Sequence, residues 1–259
     1  MRTVICHYHI YKNSGTSFDD ALARNFGAGH LSFDGPFPYF SIDRAQLDRI
    51  ICRNPDRQAF SSHQIRLPVP ASLDYRVLAA TFVRNPFLRV ASIWRFKRAH
   101  ADGTRTSELA RRMAFAEWLD HALSDPQEIT HVSNAQTRIL GEDGTGRLLM
   151  RRGPSRMEYD LEQARANLRN VALLGRTDHY EADLLRFSRR LDAEGISLDS
   201  PVTQRLNVTD ASTGSVAQRV AALFEELPES LVARFVMAND QDVALCDHAT
   251  RLIEDRDSP

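Results

Sequence analysis

Residues 4–23 read VICHYHIYKNSGTSFDDALA, an apolar run followed by a short polar turn and an amphipathic segment. This order predicts a strand over 3–10, a tight loop and a helix over 16–26. The first backbone N–H groups of such a helix have no partner within it, and the helix dipole favours an anion there. The turn itself supplies a lysine and three hydroxyl groups in Lys12-Asn13-Ser14-Gly15-Thr16-Ser17. We therefore expect a strand–loop–helix unit whose loop cradles a phosphate group.

The position of the lysine separates this loop from the loop of ATPases and kinases. In the Walker sequence G-x-x-x-x-G-K-[ST], the lysine follows the glycines and opens the helix. Lys12 instead precedes Gly15 and lies at the end of the predicted strand. This order favours a phosphate-binding loop of a different kind. On these residues alone, the alternative is an ordinary connection with a capped helix.

A second candidate anion site lies in residues 82–92, which read FVRNPFLRVAS. The apolar, β-branched run 75–83 predicts a buried strand, and Pro86 is suited to open a helix over 86–100. Arg84 then stands at the carboxyl end of the strand, and Ser92 lies about two turns into the helix. A guanidinium binds phosphate oxygens as a fork, and a hydroxyl can add one bond. The alternative is a local ion pair for Arg84 and a packing role for Ser92.

The remaining chain continues to alternate between strands and helices. Further strands are predicted at 58–62 and 171–174, helices at 107–123 and 228–254, and irregular structure over 124–157. This alternation predicts an α/β, three-layer, P-loop-like fold in which helices flank a mostly parallel central sheet.

With 259 residues, of which 42% are hydrophobic, the chain can form one domain over 1–259. In such a fold, ligands bind beyond the carboxyl ends of the strands, where we expect Lys12, His63, Arg84 and Arg176 to lie.

Composition excludes several classes of partner. The formal net charge of -1 creates no global field for nucleic acid or a membrane surface. No apolar run approaches the roughly 20 residues that cross a bilayer, and the first strand begins where a signal peptide would lie. The three cysteines are too few and too scattered for a disulfide framework or a zinc site. We predict a cytoplasmic protein with no metal, no nucleic-acid partner and no membrane span; the oligomeric state stays open.

Taken together, the two anion-binding segments resemble the PAPS-dependent sulfotransferases, where PAPS is 3′-phosphoadenylyl sulfate. The likeness is strongest to the carbohydrate group that includes the heparan sulfate 2-O enzymes. Their H-x-P-K-x-x-G-T-[ST] motif matches His9–Ser17, with Tyr11 in place of the proline. Their R-[DN]-P-x-x-R-x-x-S motif matches Arg84–Ser92. Residues 134–141, NAQTRILG, are similar to the family's N-x-Q-T-R-x-L-x-G segment. Its helical N-x-x-D-x-x-L pattern has counterparts in Asn239, Asp242 and Leu245.

The resemblance implies a donor, a reaction and a set of donor-binding residues. A sulfuryl group would pass from PAPS to a hydroxyl of an acceptor, a carbohydrate in these families, and leave adenosine 3′,5′-bisphosphate. Lys12 would stabilise the leaving phosphate oxygen. The residues that would bind the donor are Lys12, Asn13, Ser14, Gly15, Thr16, Ser17, Arg84 and Ser92. Gln136 and Arg138 would contact the acceptor or donor, or else anchor the segment 124–157.

Sulfuryl transfer also needs a base for the acceptor hydroxyl, and histidine suits that role near neutral pH. Of the nine histidines, His63 follows the strand at 58–62 and so faces the open end of the sheet. Ser62-His63 also resembles the family's G-H segment, which supplies the base. A loop histidine without a chemical role is the alternative. His9, the motif histidine, is expected to be structural.

Two other functions stay open at this point. One is a P-loop kinase for a small metabolite, which the missing G-K-[ST] order disfavours. The other is a non-catalytic nucleotide-binding protein. The acceptor cleft has two candidate segments, the aromatic stretch 33–40 and the arginine-rich stretch 142–157. Their alternatives are a loop packed on the core and a solvated charged face.

Overall fold

A five-stranded parallel sheet lies at the centre of the computed structural model, which describes residues 1–37, 40–141, 160–199 and 214–257. The strands are β1 (Arg2–Tyr8), β2 (His30–Ser32), β3 (Ala59–Ser62), β4 (Tyr75–Val83) and β5 (Leu173–Arg176), in the spatial order β2-β3-β1-β4-β5. All four pairings are parallel. The predicted three-layer α/β fold is confirmed.

Helices connect the strands and cover the sheet. In the described ranges they are α1 (Gly15–Phe26), α2 (Arg44–Arg53), α3 (Pro86–Ala99), α4 (Arg105–Arg112), α5 (Phe115–Ser124), α6 (Ile129–Val132), α7 (Ala135–Leu140), α8 (Leu161–Arg169), α9 (Tyr180–Asp192), α10 (Val216–Glu225), α11 (Glu229–Met237) and α12 (Asp240–Asp257). None of these helices combines the length and apolar character that a bilayer crossing requires.

The strand order places a topological switch point between β1 and β4. The chain leaves β1 through α1 to the edge strand β2, returns to β3 on one side of β1, and then passes to β4 on the other side. Ile5 in β1 is therefore flanked by Ala59 of β3 and Leu78 of β4. Connections that run in opposite directions leave a crevice beyond the carboxyl ends of such strands, which is where ligands bind in open α/β sheets.

Both faces of β1 are buried because its side chains alternate between two apolar layers. Val4, Cys6 and Tyr8 pack against a cluster that α2, α8 and α12 complete. On the opposite face, Ile5 packs with residues of α1 and α9, such as Phe18. A third cluster joins α3, α5, α10 and α11 beside the sheet.

Several predicted elements differ from the observed ones in their bounds or in their number. β1 ends at Tyr8, whose carbonyl accepts the Thr81 hydroxyl at 2.8 Å. The helix predicted over 107–123 is two helices, α4 and α5. The segment predicted as irregular contains α6 and α7 in its described part. The helix predicted over 228–254 breaks at Asn239, whose side-chain amide donates to the carbonyl groups of Phe235 and Val132.

Phe82 provides a test of the core on the side of α1 and α9. Its ring is 1% exposed, and its centroid lies 5.4 Å from that of Phe18 and 5.4 Å from that of Phe187. We expect Phe82→Ala to lower the free energy of unfolding by about 3–5 kcal/mol, since it removes a large buried ring and leaves a cavity. Urea denaturation measures the change. Leu73→Ala is the control, because Leu73 is 97% exposed; a similar loss in both variants would contradict this account of the core.

Candidate functional site

The loop between β1 and α1 has a backbone suited to an anion. Lys12 and Ser14 both adopt left-handed conformations, with φ of 66° and 63°. Turns with such residues can direct successive N–H groups into an anion-binding concavity. In the described part of the chain, the N–H groups of Ser14, Gly15 and Thr16 have no hydrogen-bond partner. These donors lie at the positive end of the α1 dipole.

Gly15 allows the loop to lie directly against an imidazole ring. A Cβ atom at this position would lie 2.0 Å from Cδ2 of His9 and 2.2 Å from its Nε2. No side chain fits there, so the glycine is required by close packing. His9 is buried beneath the loop, as predicted for a structural motif histidine.

Two buried amides join this loop to the end of β4. The Asn13 side-chain amide donates to the Phe82 carbonyl at 2.8 Å and to Oε1 of Gln136 at 2.7 Å. The same Oε1 accepts the backbone N–H of Arg84 at 2.9 Å, and Nε2 of Gln136 donates to the Arg84 carbonyl at 2.8 Å. Gln136 is fully buried. Of its two predicted roles, these contacts favour anchoring.

The C-terminal helix supports Gln136 from behind. The carboxylate of Asp242 accepts the backbone N–H of Gln136 at 3.1 Å and that of Thr137 at 2.7 Å. In return, Oδ1 of Asn134 accepts the N–H of Asp242 at 3.0 Å. Four residues of the N-x-Q-T-R and N-x-x-D-x-x-L patterns, Asn134, Gln136, Thr137 and Asp242, thus form one hydrogen-bonded unit. Their contacts account for the patterns structurally.

Two arginines brace the loop from β4 and α3. Nη1 of Arg84 donates to the Lys12 carbonyl at 2.9 Å, and Nε of Arg89 donates to the Tyr11 carbonyl at 3.1 Å. Arg89 is 3% exposed and also donates to the His131 carbonyl at 3.2 Å. Arg89 was not among the predicted site residues, although it is the second arginine of the R-[DN]-P-x-x-R-x-x-S motif.

Positive charge is crowded around the loop. Nζ of Lys12 lies 4.2 Å from the centre of the Phe96 ring. Burial, with the charge of Arg84, lowers the pKa of Lys12 to about 8. Burial also lowers the pKa of Arg89 to about 10, although Asp242 opposes this effect. Burial and the charges of Arg89, Arg138 and Lys97 lower the pKa of His131 to about 4. A bound anion would relieve this repulsion.

His63 lies at the carboxyl end of β3, and one of its ring nitrogens makes a hydrogen bond within the protein. Its Nδ1–H donates to the His9 carbonyl at 3.0 Å, which leaves Nε2 as the basic nitrogen of the neutral ring. Its backbone N–H donates to Asp34 at 3.0 Å, and that same oxygen accepts the Ser62 hydroxyl at 2.8 Å. The residue is exposed, but desolvation by neighbouring groups and the charge of His9 lower the pKa of His63. Its role as a base stays a prediction.

Not every predicted residue faces this crevice. Ser92 is fully buried within α3. Its contact with a donor phosphate stays a prediction. Arg138 donates to the Thr130 carbonyl. Arg176 forms a two-pronged ion pair with Asp183, at 3.1 and 3.0 Å.

Of the two segments predicted to line the acceptor cleft, the structure describes residues of one. Phe33 and Phe40 pack on the core, as the packed-loop alternative predicts. The arginine-rich stretch 142–157 lies outside the described residues.

Comparison with known proteins adds little to this geometry. No protein-family model matches the chain. A protein of Archaeoglobus fulgidus, described as an uncharacterized protein, is 24% identical over 249 residues, which cover 94% of each chain. Its description names no activity.

Gln136 provides a test of the link between the loop and β4. Gln136→Leu keeps the size of the side chain but leaves the Asn13 amide and the Arg84 backbone groups without their partner. We expect a loss of about 2–4 kcal/mol in the free energy of unfolding, because unsatisfied buried polar groups are costly. Urea denaturation measures it. Gln127→Leu is the control, since exposed Gln127 bonds only the Arg105 side chain and its own neighbours. Equal stability of the two variants would refute the anchoring role.

Proposed function

We propose that this protein is a sulfotransferase that moves a sulfuryl group from PAPS to a hydroxyl of an acceptor, which the family resemblance suggests is a carbohydrate. One observation carries the proposal: the Arg84 guanidinium lies directly on the Lys12 carbonyl, 2.9 Å away. Two anion-binding groups from neighbouring parallel strands therefore meet at the switch point of the sheet.

The charge distribution supports a donor with phosphates at two positions. The N–H groups of residues 14–16, which have no partner among the described residues, and the Lys12 ammonium suit the 5′-phosphosulfate. Arg84, at the end of β4, suits the 3′-phosphate. Burial and then the charge of Arg84 lower the pKa of Lys12, and a multiply charged anion would offset this cost of two adjacent cations better than a neutral ligand.

The residues at the site can divide the reaction between them. The acceptor oxygen attacks sulfur in line, its proton passes to Nε2 of His63, and the bond from sulfur to the 5′-phosphate oxygen breaks. Lys12 and the loop N–H groups stabilise the charge that develops on that leaving oxygen. The bond from His63 to the His9 carbonyl holds the required tautomer.

The proposal includes a cytoplasmic location. Cys6, Cys52 and Cys246 are all free thiols. Free thiols are typical of a reducing compartment.

Nucleotide binding tests the donor site. We expect the wild-type protein to bind adenosine 3′,5′-bisphosphate in calorimetry, and Lys12→Ala or Arg84→Ala to weaken binding roughly tenfold to a hundredfold, since each removes charge-assisted hydrogen bonds. Adenosine 5′-monophosphate separates the two subsites. Lys12→Ala should weaken both nucleotides, whereas Arg84→Ala should remove only the preference for the bisphosphate.

Matched variants control this experiment. Arg190→Ala removes a surface ion pair with Glu194 and should leave binding unchanged. Arg84→Lys keeps the charge but loses the fork, so it should recover only part of the affinity. Absence of bisphosphate binding by the wild-type chain would overturn the proposal. Tighter, magnesium-dependent binding of ATP would favour a kinase instead.

Turnover tests the base. With radiolabelled PAPS and a panel of carbohydrate and simple alcohol acceptors, we expect His63→Ala to lower kcat by roughly a hundredfold to ten-thousandfold, as loss of a general base does. Its affinity for the bisphosphate should stay within about threefold of the wild type, a binding change of under 1 kcal/mol. His121→Ala, which removes a surface histidine beside Asp125, is the control. Donor binding without turnover on any acceptor would favour a non-catalytic nucleotide-binding protein.

A further inference from the structure

A carboxylate and two imidazoles form a hydrogen-bonded group beneath the phosphate loop. His7 and His9 lie two residues apart at the end of β1, so their side chains point to the same face, toward α1. Nδ1 of His7 lies 2.6 Å from one oxygen of Asp19, and Nδ1 of His9 lies 2.8 Å from the other. The histidine residues are 1% and 8% exposed. Polar atoms that are buried to this extent are nearly always hydrogen-bonded.

The distances identify these contacts as hydrogen bonds. The donor atoms of His7, His9 and Asp19 lie within 4.8 Å of one another, close enough to raise the question of a metal ion. Ligand atoms about 2.0–2.1 Å from a tetrahedral zinc ion would lie roughly 3.3 Å apart. The nitrogen–oxygen distances here are 2.6 and 2.8 Å, which fit N–H donors on a carboxylate. Asp19 therefore holds both rings with the proton on Nδ1.

The same group reaches His63. The ring centroids of His7 and His9 are 5.0 Å apart, and those of His9 and His63 are 3.8 Å apart. The carbonyl that accepts the His63 Nδ1–H also belongs to His9. Both the ring contact and the hydrogen bond that orient His63 thus come from a residue held by Asp19.

We propose that Asp19 is a positioning residue for His63. It acts through His9, and it orients the His63 ring and maintains its basicity. The inference rests on the proposed function only where it calls His63 the base. Asp19 lies one turn into α1 and does not need to touch donor or acceptor for this role.

The sign of the electrostatic effect follows from the groups around His63. They are His9 from the end of β1, Tyr11 from the loop, Asp34 from the segment after β2, Asp19 from α1, and Arg66, which donates to the His63 carbonyl. Burial and the charge of His9 lower the pKa of His63, whereas Asp34, the hydrogen bond to the His9 carbonyl and Asp19 raise it. Loss of the Asp19 charge should therefore lower the pKa of His63 further and make it a weaker base.

The experiment is an NMR titration of the His63 imidazole in the full chain, with its signal identified by its loss in His63→Ala. We expect Asp19→Asn to move the titration midpoint to lower pH, on the order of half a pH unit for a charge in partly solvated surroundings. The acid limb of the kcat/KM profile should move the same way, and kcat should fall roughly tenfold or more as a poorly oriented base loses part of its effect. A purely structural defect would lower the amplitude without moving the limb.

Conservative and neighbouring variants complete the test. Asp19→Glu keeps the charge and should restore most of the midpoint and of kcat. Asp20→Asn removes the adjacent carboxylate, which pairs with Arg24 on the surface, and should change neither. If Asp19→Asn does not fold, Asp19→Ser, whose hydroxyl still accepts one N–H, gives the same comparison.

An unmoved His63 midpoint in the folded Asp19 variant, or an Asp19→Glu variant no better than Asp19→Asn, would overturn the inference. The proposed function fails separately. If the midpoint moves as expected but the wild-type chain does not bind the bisphosphate, Asp19 still positions His63, and only the assignment of His63 to sulfuryl transfer is lost.

Discussion

The site depends on one buried amide, that of Gln136. It accepts from Asn13 and from the Arg84 backbone, and it donates to the Arg84 carbonyl. A buried amide must satisfy its donors and acceptors inside the protein, so it permits only a narrow range of positions for the groups that it joins. This side chain, the bond from Asn13 to the Phe82 carbonyl and the bond from Arg84 to the Lys12 carbonyl together hold the loop after β1 in register with the end of β4. Asp242 accepts from both the backbone N–H and the side-chain amide of Gln136.

The loop that this amide holds has a strained backbone. Lys12 and Ser14 are left-handed without being glycine, a conformation that costs about 1–3 kcal/mol at such sites. Burial is the main cause that lowers the pKa values of Lys12 and Arg89, and the charges of neighbouring arginines add to the effect. Strain and repulsion that the surrounding structure must offset are typical of preorganised binding sites. The buried core on both faces of β1 supplies the compensating stability.

The carboxyl ends of β1, β3 and β4 each contribute a separate part of the proposed chemistry. In the proposed reaction the loop would bind the donor phosphates, while β4 supplies Arg84 and β3 ends at His63. His9 connects these parts, because its ring packs against Gly15 and against His63 while its Nδ1 bonds Asp19. One buried motif histidine therefore links the loop between β1 and α1 to the candidate base.

The sequence by itself determined four of the five strands, the loop at the end of β1 and the position of Arg84 at the end of β4, but it missed the short edge strand β2 and the helices α6 and α7. The correct predictions follow from local patterns: apolar runs, a proline at a helix start, and a lysine before a glycine. Tertiary structure alone decided the strand order, the buried positions of Gln136 and Ser92, and the pairing of Asp19 with His9. The bond from Asn13 to Gln136 spans 123 residues of sequence. No local propensity encodes such a contact, since it arises only when two distant segments pack and their buried polar groups must find partners.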